Sequence, residues 1–395
     1  MDNPPFAYAD NQDLIADLRL FATTSEFHSS AKFQTHQTRL SNLLDTPRLF
    51  FHDAARPRLR DFLRIAHWNL EKGKYFDGAI RAFRENPVLR EADLISINEA
   101  DVGMNRSAHR FVARELGDAL GMHTVFAPVY LEFSKGYGDD LNMPGENTIA
   151  LQGNAILSRH ELRNPRIIRL PVCYDHFDHA EKRIGNRNAL AVEVLAGAQP
   201  LTFVTTHLEV RNTPGCRARQ MAAIIEALRR DGAGTTAIIA GDFNSNTFAR
   251  GGRWRTLRGF ARVLLSDPER LMREIAAPQA REPLFALLQS HGFTEAGFNS
   301  QDISCRVPIG ILEDRARLPA VFTEIIERKL AAYNNQLDFR LDWMLGRGVR
   351  PLTDQELTDS ASGVVSQGPR TIPGLQNEKG AQISDHDPIT VEIRV

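Results

Sequence analysis

The chain repeatedly lays down a short apolar run and ends it on a carboxylate, an amide or an imidazole. The clearest case is Thr236-Ala-Ile-Ile-Ala-Gly-Asp-Phe-Asn-Ser-Asn246. Ala237, Ile238, Ile239 and Ala240 suit a strand covered on both faces, Gly241 permits a tight turn, and Asp242 and Asn244 follow at the exit. One carboxylate beside a neutral amide suits a hard cation or an attacking water, without the repulsion a second carboxylate would bring. By itself Gly-Asp-x-Asn reads equally well as a turn capped by Asp and Asn. Its company is what gives it weight. Ile65-Ala-His-Trp-Asn-Leu70 delivers Asn69, Asp93-Leu-Ile-Ser-Ile-Asn-Glu99 delivers Glu99, and Pro200-Leu-Thr-Phe-Val-Thr-Thr-His-Leu208 delivers His207. Ile383-Ser-Asp-His-Asp-Pro388 sets Asp385 and His386 just before a last strand, Ile389 to Val395. Between Gln336 and Leu345 the pattern alternates around Asp342, an acid inside an apolar strand. Burying it is costly unless its charge is paired, and a histidine is the natural partner.

From Phe62 onward strand-like and helical segments alternate. A helix is expected near Phe76 to Arg84 and another from about Ala108 to Leu120, followed by strands at Thr124 to Tyr130 and Asn147 to Leu157. Lys135 to Gly145 is rich in turn formers and reads as a surface loop beside a cleft. A polar loop from Pro171 to Asn188 carries His176, Asp178, His179 and Glu181, a mixed spacing that reads as solvated surface before it reads as a metal site. Arg187 and Asn188 stand where the next strand begins and are candidates to hold a substrate phosphate. Met221, Ile224, Ile225 and Leu228 give an amphipathic helix from about Cys216 to Arg230, and Pro283 to His291 gives another helix. Arg250, Arg253, Arg255, Arg258 and Arg262 surround Trp254; they read as a solvated helical face, with a hold on a phosphate-rich substrate as the rival. Ser360 to Gly380, rich in Gly, Ser and Pro, reads as a mobile loop.

Composition narrows the classes. Hydrophobic residues at 42% and charged residues at 25% suit a soluble globular protein. A formal net charge of -1 gives no global attraction to polyanions, so any nucleic-acid or membrane binding must be local. Cys173, Cys216 and Cys305 lie far apart without paired spacing, which predicts neither a disulfide framework nor a thiolate zinc site. The N-terminus lacks a basic region followed by an apolar core, and no stretch is long and apolar enough to cross a bilayer, so a cytoplasmic protein is the default expectation. Residues 1–60 read as an N-terminal helical extension, with helices near Asp13 to Phe21 and Ser30 to Leu44, and residues 61–395 as one catalytic domain.

The order of these pieces resembles the endonuclease/exonuclease/phosphatase superfamily of metal-dependent phosphoesterases, over roughly Arg64 to Val395. The resemblance rests on Trp68-Asn69, Asn98-Glu99, Gly153-Asn-Ala-Ile-Leu-Ser158, Thr206-His207-Leu208, Gly241-Asp-Phe-Asn244, Leu341-Asp342-Trp343 and Ser384-Asp-His-Asp-Pro388. It implies a four-layer α/β/β/α sandwich, in which two mixed sheets pack face to face between helices and the active site lies at one end. It also implies a magnesium or manganese ion held by Glu99 and Asn69, with Asp385 as a ligand or a helper in orienting water. Asp242 would orient or deprotonate the attacking water, and Asn244 would hold it or a phosphoryl oxygen. His386 would act on the phosphate with Asp342 fixing its tautomer, and His207 would donate to the phosphate or assist the leaving group. Thr206-His207-Leu208 is similar to branches other than the abasic-site DNA endonucleases. A phosphodiesterase is the leading expectation. A nuclease on DNA or RNA and a catalytically silent binding protein are the alternatives, with nucleic acid and lipid headgroups both open as partners and the oligomeric state undetermined.

Overall fold

The computed structural model describes residues 8–394 apart from 59, 180, 198, 231, 233–234, 309–319, 354 and 357–367. Its strands in chain order are β1 (Arg48–Phe50), β2 (Leu63–Asn69), β3 (Leu94–Val102), β4 (His123–Glu132), β5 (Leu151–Ser158), β6 (Leu162–Arg169), β7 (Arg183–Gly185) and β8 (Asn188–Val194). They continue with β9 (Leu201–His207), β10 (Ala237–Asp242), β11 (Cys305–Pro308), β12 (Gln336–Phe339), β13 (Asp342–Arg347), β14 (Arg350–Pro351), β15 (Arg370–Thr371) and β16 (Ile389–Arg394). The helices are α1 (Gln12–Leu18), α2 (Thr24–His28), α3 (Ala31–Leu44), α4 (Phe76–Glu85), α5 (Val112–Leu120), α6 (Pro214–Arg230), α7 (Arg253–Leu265), α8 (Pro268–Ala276), α9 (Pro283–Ser290) and α10 (Ala320–Leu330).

Two mixed sheets form the centre. The larger runs β1-β4-β5-β3-β2-β16-β14, with β7 on β4 and β15 on β16, and the smaller runs β13-β10-β9-β8-β6. Strand periodicity of two explains how they pack, because successive side chains leave opposite faces. In β10, Ile238 and Ala240 point between the sheets, whereas Ala237 and Ile239 join the cluster beneath α6 and α9. In β2, Ile65 points between the sheets while Ala66 and Trp68 face α4 and α5. Four layers result, as in the expected sandwich.

α1 and α3 bury Leu14, Ile15, Leu18, Leu40 and Leu43 in the apolar cluster that also holds α4 and α5, and β1 pairs antiparallel with β4. Ser30 caps α3 by accepting from the Phe33 N–H. Between Asn244 and Asp342 the chain builds a further unit of α7, α8, α10 and the antiparallel pair of β11 with β12, around Phe248, Val263, Leu271, Ile275, Leu337 and Phe339. The first part of the Gly-, Ser- and Pro-rich stretch, residues 360–367, lies outside the described residues.

One expectation is overturned. Cys173 and Cys216 form a disulfide, with Cα atoms 6.1 Å apart across a sequence separation of 43. Their spacing carries no pattern because the fold makes the pair: the loop leading to β7 passes the first turn of α6, and Cys216 is fully buried there. Cys305 is free and buried.

Candidate active site

The inward faces that form the core turn polar at one end of the sandwich. Along β2, inward Ile65 is followed by His67 and Asn69; along β9, Phe203 by Thr205 and His207; along β10, Ala240 by Asp242. Register then aligns the ends. In the smaller sheet Asp242 is paired with His207 of β9 on one side and with Asp342 of β13 on the other. Gly241 makes this row possible, since a Cβ there would sit on the Thr206 carbonyl oxygen of the adjacent strand.

Asp242 is the hub. Its Oδ2 lies 3.2 Å from His207 Nε2 and 3.7 Å from His386 Nε2, and it accepts from Asn69 Nδ2 at 3.2 Å. Its Oδ1 accepts the Asn244 N–H at 2.8 Å. Burial opposes its ionisation, but the two histidines outweigh this and hold the carboxyl far below its usual range. Asp342 lies behind, 2.7 Å from His386 Nδ1. Burial disfavours a charged His386, yet Asp342, then Cys305, Asp242 and Asp385, raise its pKa well above the ordinary value.

Glu99 reaches the site through a break in β3. The pairing with β5 shifts register between Ile97 and Ala100, and Glu99 takes a left-handed φ of 54°. Such a bulge re-aims one side chain, here toward His207, whose Nδ1 lies 3.9 Å away. Burial resists the charge of Glu99, but His207, Lys72, Arg183 and Arg187 bring its pKa to about 2. Asn244 is also left-handed, with φ 48°, and its amide donates to Leu208 O. Asp385 is open to solvent by surface area although it stands among these groups. Loss of hydration, then Glu99 and Asp242, raise its carboxyl above the usual value while His386 opposes them.

A cleft of about 270 Å³ is lined at this end by Glu99, Arg187, His207, Asp242, Asn244, Asp385 and His386. Asn69, Asp342 and Asn188 are close but are not in its wall. Asn188 is buried, donating to Pro128 O and accepting from Asn154, so the structure does not bring it to the cleft with Arg187. His176 and Glu181, from the polar loop, are already engaged: His176 in a hydrogen bond with Glu209, and Glu181 in ion pairs with Lys72, Arg106 and Arg183.

The chain matches the endonuclease/exonuclease/phosphatase family over residues 66–386. It belongs to that family. Members of the endonuclease/exonuclease/phosphatase family are in general metal-dependent hydrolases of phosphoesters. No curated protein matches the chain with significance. Among solved structures it is similar to an endonuclease/exonuclease/phosphatase from Beutenbergia cavernae, at 14% identity, covering 85% of this chain and 72% of that one with a TM-score of 0.45. The human Nocturnin catalytic domain with bound sulfate gives 14% identity, coverage of 88% and 96%, and a TM-score of 0.45. A family protein from Leptotrichia buccalis gives 16% identity, coverage of 84% and 100%, and a TM-score of 0.46. Likeness at this level says nothing about substrate.

The family's need for a divalent cation is matched by a donor set of carboxylates. Glu71, two residues beyond Asn69, joins Glu99 and Asp385: its Oε2 accepts the Asp385 N–H at 3.2 Å. Burial, then the charge of Asp385, raises the Glu71 pKa to about 7, a repulsion that a hard cation on these oxygens would relieve. Asn69 presents its amide nitrogen to Glu99 and Asp242 while its Oδ1 accepts from the Glu71 N–H, so ligation through Oδ1 requires the amide to turn. Two tighter groups fit less well. In one, of Asp242, Asp342 and His386, Asp242 already accepts from Asn69 and Asn244 beside His207 while Asp342 is engaged by His67 and His386; in the other, Cys305 beside Asp385 and His386 is a thiol whose pKa burial raises to about 12.

Sequence reading assigned no role to Glu71 or to six further supports. His67 Nε2 lies 3.0 Å from the second oxygen of Asp342, and its Nδ1 lies 2.9 Å from Ser96 Oγ. Ser96 continues to Thr205 at 2.6 Å, and Asn98 Nδ2 donates to Thr205 while its Oδ1 accepts the Asp242 N–H at 2.9 Å. Trp68 donates its indole N–H to His386 O, and Lys72, buried against Glu181, adds positive charge near Glu99. For His67 the signal was its inward parity, two residues before Asn69.

Proposed function

We propose that the protein is a divalent-metal-dependent phosphodiesterase in which water attacks the phosphorus atom. The observation that carries this reading is one ionised carboxylate, Asp242, set between two imidazoles on the floor of a cleft edged by carboxylates. Asp242 accepts a hydrogen bond from the attacking water, and Asn244 helps to align it. The water oxygen forms the new P–O bond as its proton moves to Asp242, and the P–O bond to the leaving group breaks. His386, kept protonated by Asp342, gives its Nε2 proton to the departing oxygen. The proton on Asp242 then returns to His386 across the 3.7 Å that separates them, restoring both groups. His207 and Arg187 offer N–H donors to the non-bridging oxygens, which carry the developing charge. Glu99, Asp385 and Glu71, with Asn69, would hold a magnesium or manganese ion, which would supply Lewis-acid neutralisation of the phosphoryl charge.

The test is hydrolysis of bis(4-nitrophenyl) phosphate with magnesium, manganese or chelator. Metal-loaded protein should exceed the Asp242→Ala variant by on the order of 100-fold or more. Equal rates for the two would overturn the reading.

A further inference from the structure

The cleft does not end at the catalytic groups. Beyond Asn244 its wall is Val210, Phe248, Phe260, Val263, Leu337 and Phe339, and the exposed lining of the whole cleft is mostly apolar. This apolar arm is built by the unit inserted between Asn244 and Asp342. α7 turns Thr256, Gly259, Phe260 and Val263 into it, and the antiparallel pair of β11 and β12 lines it with Val307, Leu337 and Phe339. Asn246, Arg250 and Thr256 interrupt the arm with polar groups, and of these Asn246 Nδ2 and Thr256 Oγ1 are both buried and both without a hydrogen-bond partner among the described residues. Unpaired buried donors are costly, and a ligand atom that satisfies them binds with corresponding preference.

The outer face of the same helix is also unusual. Trp254, Leu257 and Leu265 are 78%, 46% and 85% exposed, and exposed Arg255 and Arg258 stand among them. Helical spacing puts Trp254, Leu257, Arg258, Ala261 and Leu265 on one side, opposite the residues that line the arm. A surface helix with bulky apolar residues beside arginines suits the interface of an anionic lipid layer. α10, packed beside α7, adds exposed Val321 and Ile325.

We infer that the substrate is an amphiphilic phosphoester drawn from a lipid surface, with its phosphate at Asp242 and His386 and its hydrocarbon in the apolar arm. A short polar linker such as an ester or amide would meet Asn246 and Thr256. The inference rests on the phosphodiesterase reading and adds to it the class of substituent. A hydrocarbon chain is favoured because the deep wall, Val263, Val307, Leu337 and Phe339, offers contact area without side-chain polar groups.

Alkyl 4-nitrophenyl phosphates with methyl, butyl, octyl and dodecyl groups, below their critical micelle concentrations, provide the test. The expected result is a kcat/KM that rises about two- to fourfold per methylene over the first carbons. Gly259→Leu should block the arm without strain, because a Cβ there meets nothing closer than Phe248 Cδ1 at 3.7 Å. Its dodecyl-to-methyl ratio of kcat/KM should fall at least tenfold, and a ratio is insensitive to the fraction folded. Calorimetric binding of dodecyl phosphate against butyl phosphate reads the same ratio without turnover. Vesicles of anionic phospholipid containing the dodecyl ester should raise the rate of the wild type and not of a Trp254→Ala, Leu265→Ser double variant.

Turnover of the methyl ester with a flat chain-length response would overturn the amphiphile while leaving the phosphodiesterase intact. Loss of turnover of every ester, with the binding ratio retained, would overturn the phosphodiesterase and keep the arm. Tighter binding of nucleoside 5′-phosphates than of dodecyl phosphate would replace the hydrocarbon with a nucleobase. Equal activation of wild type and double variant by vesicles would remove the lipid surface.

Discussion

At the scale of single residues, Asp342 organises the centre without lining the cleft. Its two oxygens meet two histidines, His67 at 3.0 Å and His386 at 2.7 Å, and all three groups are buried. Burial works against the Asp342 charge, but His386 and the two hydrogen bonds lower its pKa, while that of His386 is raised. The depressed carboxyl contributes stability that is present above its unfolded value of about 3.9 and is lost as pH falls through the folded pKa. The raised imidazole contributes stability that is full below about 6.5 and is lost as pH rises through its folded pKa. In metal-free protein the wild type should therefore exceed Asp342→Asn by about 1–3 kcal/mol, most between roughly pH 4 and 6.5, with the gap narrowing on both sides. Denaturant unfolding across that range would show it, and a gap independent of pH would argue against the ion pair. Asp342 was legible as an acid misplaced in an apolar strand. His67 was not, because one histidine on a buried strand looks like ordinary core until the opposite sheet is in place.

At the scale of elements, the loop before β7 and the start of α6 depend on each other. The disulfide Cys173–Cys216 ties them, Gln220 of α6 donates to Pro171 O, and Asn212 binds Cys173 O. Glu209, between them, accepts from His176 and lies 3.9 Å from Arg187 Nε. Burial opposes its charge, but His176 and Arg187 lower its pKa to about 2. A cross-link over 43 residues is expected to stabilise by about 2–4 kcal/mol, chiefly by restricting the unfolded chain. Cys216→Ser should lose that amount in a denaturant titration under oxidising conditions, and addition of a reductant should bring the wild type to the level of the variant. No change on reduction would show that the link adds no stability. Helices and strands here follow from periodicity, yet the cross-link does not, since no local pattern joins positions 43 apart. Arg187 and Asn188 make the same point: Arg187, just before β8, lines the cleft, while Asn188, the first residue of β8, holds Asn154 and Pro128.

At the scale of the whole molecule, the core and the catalytic end are separate investments. The inward residues that pack the two sheets, Ile65, Phe203 and Ala240 among them, precede the polar strand ends that reach the cleft. Chelation should therefore abolish phosphodiester hydrolysis while leaving near- and far-ultraviolet circular dichroism unchanged; collapse of the near-ultraviolet signal would instead make the cation structural. The resemblance to the family implied the sandwich, and the sequence by itself determined the alternation of strands and helices, the acid Asp342 within an apolar stretch, and the strand ends that carry Asn69, Glu99, His207 and Asp242. These are read from local periodicity and from abrupt changes of polarity, which a linear pattern preserves. Only the tertiary structure decided that Glu71 joins Glu99 and Asp385, that Cys173 meets Cys216, and that the cleft continues into an apolar arm. Each unites residues from distant elements, and such proximity is fixed by sheet register and layer packing, which no local stretch of sequence encodes.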